Sequence, residues 1–259
     1  MIRWTYAFLD RPSAAFDQAA SFWAQATGTT LSPRRGEFDE FATFLPEHGD
    51  PVLKLQAVGS LKPAAVGSLQ PAAVGDTGGA HLDFAVDDVP AFVTGALAAG
   101  AFPVADHGDL VVLRSPAGHL FCAVPWRAVD AVPRIPPAAT GPSGVRVRAD
   151  QMCVDALPDG FATEYAFWGA ITGFTLEDAS LPEFHRVVPP PGLPIRLLVQ
   201  RLGSPTDVPA MHLDLACSDV RDAVAWHVSL GAAVVDVRPG WTVMRDPAGG
   251  VYCLTSRLP

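Results

Sequence analysis

The sequence predicts an α+β fold in which four β-α-β-β-(β) modules stand in two pairs. Three observations predict it. The chain is written twice, each copy holds two rounds of a strand–helix–strands pattern, and both copies close on one turn and strand, RSPAGHLFCAV at 114–124 and RDPAGGVYCLT at 245–255. RWTYAFLDRPSAAFDQAASFW (3–23) aligns without gaps on RADQMCVDALPDGFATEYAFW (148–168), matching Asp10 with Asp155 and Trp23 with Trp168. The match runs on through FWAQATGTTL and FWGAITGFTL, then EFATFLP (40–46) against EFHRVVP (183–189) and AHLDFAVDDV (80–89) against MHLDLACSDV (211–220). Residues 145 apart correspond at the start of each copy and residues 131 apart at its end, so the first copy carries about 13 extra residues ahead of His81. The surplus shows as AVGSLKPA and AVGSLQPA (57–72), an eight-residue unit written twice. Two short units do not bury a solenoid core, so this is read as a duplicated linker or a loose hairpin.

Each element follows from local pattern. Residues 3–10 read as a strand and 13–26 as a helix capped by Ser13 and stopped at Gly28, because a short hydroxyl side chain satisfies first-turn N–H groups and glycine adopts the left-handed exit. Residues 39–46 and 51–57 read as two strands; Phe38, Phe41 and Phe44 are expected in the core. HLDFAVDD is a strand, after which Asp88 caps a helix with Val89, Val93 and Leu97 on its buried face and Gly100 past its end. Strands at 102–105, 109–114 and 119–124 complete the first copy; in the second, Asp219 caps, Val220, Val224 and Val228 line the face, and Gly231 stops the helix. Trp23 and Trp168 fall at core spacing on their helices, whereas His48, His107, His119, His185 and His227 are expected at surface or turn positions. The domains divide as 1–127, with an inserted linker at 57–76, a Pro-rich connector at 128–145, and 146–259.

Bulk properties narrow the function. The net charge is −9, with 18 Lys+Arg against 27 Asp+Glu, and no basic stripe suits a phosphate backbone, which argues against nucleic acid. No apolar run reaches the length of a membrane span, and the first residues lack a secretory h-region, so a cytoplasmic protein off the membrane is expected, as monomer or homodimer. Cys122, Cys153, Cys217 and Cys253 form no C-x-x-C pair and are read as reduced thiols.

The module layout, with HLDFAVDDV, HLDLACSDV, RSPAGHLFC and RDPAGGVYC, resembles the vicinal oxygen chelate superfamily, which holds glyoxalase I, extradiol dioxygenases and bleomycin-resistance proteins. The resemblance covers nearly the whole chain and is strongest to the glyoxalase-like branch. It implies two tandem glyoxalase-like domains, each a pair of modules whose mixed sheet curves into a cleft, with metal ligands on the first and last strand of each module. The family's histidine falls on His81 and His212, and its last-strand glutamate on Cys122 and Cys253. The other first-strand position falls on Trp4 and Ala149, neither a metal ligand. The other last-strand position falls on Gln56 and Gln200, which pair only across a one-residue gap.

The sets Trp4, Gln56, His81, Cys122 and Ala149, Gln200, His212, Cys253 fall short of a catalytic zinc site or an octahedral one. Asp83 and Asp214, two residues past each histidine on the same strand face, either add an oxygen to the cleft or fix the histidine's tautomer. The cysteines read as packed thiols or as thiolates generated by a neighbouring imidazole. Trp4 reads as core or as a stacking wall, Trp241 as facing the second cleft or packing on its helix, and Arg114 and Arg245 as turn caps or anion contacts. The function expected on this basis is a small organic molecule held in the strand-lined cleft, with no cofactor required. The alternatives are a divalent metal in the cleft, and a lyase or isomerase acting on a small carbonyl compound with His81 or His212 as base, assisted by Asp83 or Asp214.

Overall fold

The structure, a computed structural model, describes residues 1–59, 79–127, 132–204 and 210–259. Most of the duplicated AVGSL unit lies outside the described residues. The first half contains β1 (Ile2–Pro12), α1 (Phe16–Thr27), β2 (Thr30–Leu31), β3 (Phe41–Leu45), β4 (Leu53–Val58), β5 (Ala80–Val86), α2 (Val89–Ala98), β6 (Phe102–Asp106), β7 (Val111–Arg114) and β8 (Leu120–Pro125). After β9 (Ala139–Thr140) in the Pro-rich connector, the second half repeats the order. It runs β10 (Arg146–Ala156), α3 (Phe161–Thr172), β11 (Thr175–Asp178), β12 (Phe184–Val188), β13 (Arg196–Arg201), β14 (Met211–Cys217), α4 (Val220–Ser229), β15 (Ala233–Arg238), β16 (Trp241–Arg245) and β17 (Val251–Thr255).

These strands form two curved mixed sheets of one topology. The first has the order β2-β3-β4-β1-β5-β8-β7-β6 and the second β11-β12-β13-β10-β14-β17-β16-β15, with β9 paired on β10. The α+β class and the pairing of modules into two mixed sheets are as the sequence predicts. In each sheet a parallel pair stands beside antiparallel neighbours: β5 on β8 with Asp83 opposite Cys122, and β14 on β17 with Asp214 opposite Cys253. Gln56 stands opposite Phe41 and Gln200 opposite Phe184, so the two glutamines are equivalent. The one-residue gap is absorbed in the β3–β4 turn, where it leaves the faces of both strands unchanged.

Compactness follows a different division from the sheets. One compact unit consists of Met1–Ala7, His81–Pro133 and Met152–Met211, the other of Phe8–Ala80, Arg134–Gln151 and His212–Pro259. Within the first, Trp168 of α3 is fully buried at 5.3 Å from Phe121 and 6.2 Å from Phe84. Its indole N–H donates to Glu164 Oε1 at 2.7 Å, and Glu164 Oε2 accepts from the Ala117 backbone N–H at 2.9 Å. Within the second, Trp23 of α1 is fully buried at 5.0 Å from Tyr252, and its indole donates to Asp246 Oδ2 at 2.9 Å.

The two units thus solve one problem, an acceptor for a buried indole, from opposite sides. Glu164 reaches from its helix to the turn, whereas Asp246 reaches from the turn to a helix. The turn itself is repeated in form, because Ser115 Oγ accepts from His119 N and Asp246 Oδ1 from Gly250 N, its counterpart 131 residues on. Gly250 stands where the first copy has His119, and a Cβ there would lie 2.1 Å from Arg11 Cζ. Arg11 has taken the space that a side chain at 250 would need, and this close approach explains the glycine.

Several expectations are corrected. Ser13 does not cap α1: residues Ser13–Ala15 form a 3-10 turn, Ser13 Oγ donates to Val58 O, and the α-helix begins at Phe16. Leu97 and Val228 are exposed, and the buried faces use Val89 with Ala96, and Ala223 with His227. An i, i+4, i+8 series drifts by about 80° around a helix, while i+7 returns within about 20° of the start. Phe38 is 50 % exposed rather than core. His119 and His227 are buried, because His119 Nε2 meets Asp155 O at 2.6 Å and His227 Nδ1 meets the Tyr252 hydroxyl at 2.9 Å.

The remaining helix signals hold. Asp88 and Asp219 accept from Ala91 N and Asp222 N, each at 2.9 Å. Asp219→Ala is expected to lower stability by about 1 kcal/mol, read as a reduced urea midpoint at unchanged slope. Among the described residues no helix is long and apolar enough to cross a membrane.

Candidate functional site

Strand alternation decides where the ligand-position cysteines point. Phe121 packs on Phe167 and Trp168 of α3, and Tyr252 packs on Phe22 and Trp23 of α1 and on His227 of α4. Their neighbours Cys122 and Cys253 therefore lie on the sheet faces turned away from those helices. Both are nonetheless buried, at 6 % and 5 % exposure. All four cysteines carry thiols rather than disulfides. Cys217 is the inert case, since burial pushes its thiol up to about 12 and its Sγ is directed at Leu215 O.

In the first half, His81, Asp83 and Cys122 come together. His81 Nε2 lies 3.7 Å from Asp83 Oδ1, and one ligand atom of each of the three lies within 4.8 Å of the others. All three side chains are buried, at 6 %, 2 % and 6 %. The i, i+2 spacing on β5 and the parallel register with β8 are what bring them to one spot. Trp4 is fully buried in β1 and Gln56 nearly so in β4.

In the second half, His212 Nε2 lies 3.4 Å from Asp214 Oδ1 and 3.6 Å from Cys253 Sγ. Gln151 on β10 donates from Nε2 to the other carboxylate oxygen, Asp214 Oδ2, which leaves Oδ1 facing the imidazole. This histidine is the more open of the two, with 15 % of its side chain exposed against 7 % for His81. Val243 is the antiparallel partner of Cys253, and Trp241 lies two residues from it, so register puts an indole and an aliphatic side chain on the same face. Trp241 is half-buried and paired with Thr255. Arg245, on that face too, donates to Gly249 O at 3.1 Å and so braces its own turn.

Gln200 takes a different role from the rest of its set, accepting from Cys153 Sγ at 3.5 Å. Ala149 lines a cavity of about 230 Å³, shared with Thr29, Phe44, His48, Pro137 and Arg148. Gln151 carries no sequence signal, because its partner is 63 residues away and its counterpart 145 residues earlier is Tyr6.

The metal set that the family resemblance implies does not fit these residues. Its first-strand positions hold the side chains of Trp4 and Ala149, and an indole or a methyl group offers a divalent ion no lone pair. Of that set the first half keeps the histidine position at His81 and has a thiol, Cys122, at the glutamate position, with the Asp83 carboxylate beside them.

Solved structures of the same fold include a synthase and several dioxygenases. A triple mutant of 4-hydroxymandelate synthase from Streptomyces coelicolor superposes with a TM-score of 0.60 at 18% identity, covering 100% of this chain and 93% of that one. The 2,2',3-trihydroxybiphenyl 1,2-dioxygenase of Sphingomonas wittichii strain RW1 gives 0.59 at 17%, covering 98% and 90%. The 2,3-dioxygenase LapB of Pseudomonas sp. KL28 gives 0.56 at 12%, covering 96% and 90%. At such identities the likeness is one of fold. No curated protein matches the sequence. The model of the glyoxalase-like domain matches residues 7–124 and again 151–255, the same two copies that the repeat and the two sheets define, and the chain belongs to the glyoxalase-like domain family.

Proposed function

We propose that this protein binds a small planar organic molecule on the face of β14, β16 and β17 turned away from the helices, without the family's metal set. The observation that carries the reading is the group around His212. A partly exposed imidazole lies 3.6 Å from Cys253 Sγ and 3.4 Å from a carboxylate fixed by Gln151, beside Val243 and Trp241. A few polar groups set among apolar and aromatic ones is the composition of a small-molecule site. The fold neighbours are named for hydroxylated aromatic compounds, which suggests the probes.

The test is a panel of phenols, catechols and aryl carboxylic acids followed by tryptophan fluorescence and thermal shift. At least one member is expected to bind, and Trp241→Ala and His212→Ala each to weaken it roughly tenfold. His81→Ala is expected to bind as wild type does. A panel without a hit, or unchanged affinity in both second-half variants, overturns the proposal.

The second reading, a lyase or isomerase with His212 as base, is favoured by the Asp214 contact, since a carboxylate held by Gln151 orients the neighbouring imidazole. It predicts that His212→Ala abolishes turnover of a small carbonyl compound while binding persists; equal turnover in that variant contradicts it.

A further inference from the structure

The cavity beside the Pro-rich connector takes no part in the binding proposal. We propose that it is a site for a small monocarboxylate built on one ring, held through its carboxylate by Arg148. The inference is independent of the small-molecule reading at His212. None of His81, Cys122, His212, Asp214 and Cys253 lines this cavity. Of the positions set against the family's metal only Ala149 borders it, with a methyl group that ligates nothing.

Its walls are held in place from both ends of the connector. Asp50 Oδ2 accepts from Arg134 N at 2.7 Å, and the Asp50 backbone N–H donates to Arg134 O at 2.8 Å. Further on, Ala139 and Thr140 of β9 pair with Val147 and Arg146 of β10. Between these ties Pro136 and Pro137 border the cavity, and their fixed φ keeps that wall formed before any ligand arrives. Gly49 permits the close approach, since a Cβ there would lie 2.8 Å from both Arg134 O and Pro136 Cα. Phe44, Val52, Leu53 and Val147 supply buried apolar wall. The volume of about 230 Å³ exceeds the roughly 150 Å³ in which an apolar cavity takes up benzene, so one ring with a carboxylate fits.

The polar groups decide the class of ligand. Arg148 lines the cavity half-buried and, among the described residues, has neither a hydrogen-bond nor an ion-pair partner. Its guanidinium is a partly desolvated charge whose parallel N–H groups match the two oxygens of a carboxylate. Thr27 and Thr29 offer no competing donor. Thr27 Oγ donates to Trp23 O at 2.6 Å, so the Thr29 hydroxyl is the donor in the 2.9 Å bond between the two. The Glu47 and His48 side chains, 89 % and 78 % exposed, stand in water, where solvent screens the repulsion between Glu47 and an anion. One cation among apolar walls suits a ring with a single negative charge, whereas a phosphate or a dicarboxylate calls for more cations than Arg148 supplies.

The test titrates benzoate into the whole chain by isothermal calorimetry, as wild type and as a His212→Ala, Trp241→Ala double variant in which the cavity is intact. The double variant is expected to bind one equivalent with a Kd at or below about 1 mM. Adding Arg148→Met should weaken that binding at least about tenfold, and benzamide, of the same shape without the charge, should bind at least about tenfold more weakly than benzoate. In the wild type Arg148→Met should remove the same equivalent. Ala138→Trp, which fills the cavity, should abolish it. Arg148 has no partner to lose, so Arg148→Met should keep the wild-type urea midpoint, and circular dichroism checks that every variant is folded. No saturable binding of benzoate to the wild type or to the double variant overturns the proposal. So does an affinity that Arg148→Met leaves unchanged, or benzamide binding as tightly as benzoate. The reading at His212 fails separately, because its own test turns on Trp241 and His212.

Discussion

Replacing Asp246 by alanine is expected to cost about 3–5 kcal/mol of stability, because it strands a buried charge. Asp246 Oδ2 accepts from Arg11 Nε at 2.7 Å and from Trp23 Nε1 at 2.9 Å, while Oδ1 accepts from the backbone N–H groups of Ala248 and Gly250 at 2.9 and 3.0 Å. The Arg11 and Asp246 side chains are 1 % and 0 % exposed, so no solvent compensates the guanidinium once the carboxylate is gone. Among the described residues Arg11 Nη1 then keeps the carbonyls of Asp10 and Gly79, at 2.8 Å each, which carry no full charge. The measurement is urea unfolding followed by circular dichroism, with the loss read from the midpoint at constant slope. Most of the penalty is the stranded charge, so adding Arg11→Leu to Asp246→Ala should recover part of it. A loss below about 1 kcal/mol for Asp246→Ala, or no recovery in the double variant, contradicts this account.

The part of the fold that can be read from the sequence is the part written in local periodicity and in repetition. Two copies of HLD followed by two copies of a PAG turn locate the parallel strand pairs, and Asp88 and Asp219 announce their helices because a cap acts within three residues. His81, Asp83, His212 and Asp214 are legible for the same reason, since i and i+2 on a strand must share a face. Contacts whose partners are remote in sequence leave no such mark. Gln151 braces Asp214 across 63 residues, and Glu164 meets the Ala117 amide across 47. Repetition also misleads where the copies have diverged in a compensated way. Arg11 corresponds to Ala156, Gly250 to His119 and His227 to Ala96, so each copy taken alone suggests a different core for the other. Leu97 and Val228 lie outside the buried faces because a four-residue step, taken twice, carries a side chain too far around the helix.

The second large effect is a loss of stability in acid that traces to His227. The imidazole is fully buried, its Nδ1 meets the Tyr252 hydroxyl at 2.9 Å, and its Nε2 has no hydrogen-bond partner among the described residues. Burial lowers its pKa from 6.5 to about 4. The neutral form is the folded form, so above pH 6.5 the residue contributes no pH dependence. As the pH falls below that value the unfolded chain takes up a proton that the folded chain refuses, and stability declines until the folded imidazole itself protonates near pH 4. The full loss is about 3 kcal/mol, of which about 2 kcal/mol has accrued by pH 5. His227→Gln, which keeps a polar group near the Tyr252 hydroxyl but does not titrate, should flatten the stability profile between pH 7 and pH 5 by that amount relative to wild type. Identical profiles for the two proteins would rule the assignment out. The counterpart of His227 is Ala96, so the acid sensitivity belongs to one half only. Hydrogen exchange at pH 5 should therefore show protection falling in α4 and β17 while α2 and β8 retain theirs, and the His227→Gln variant should restore the lost protection.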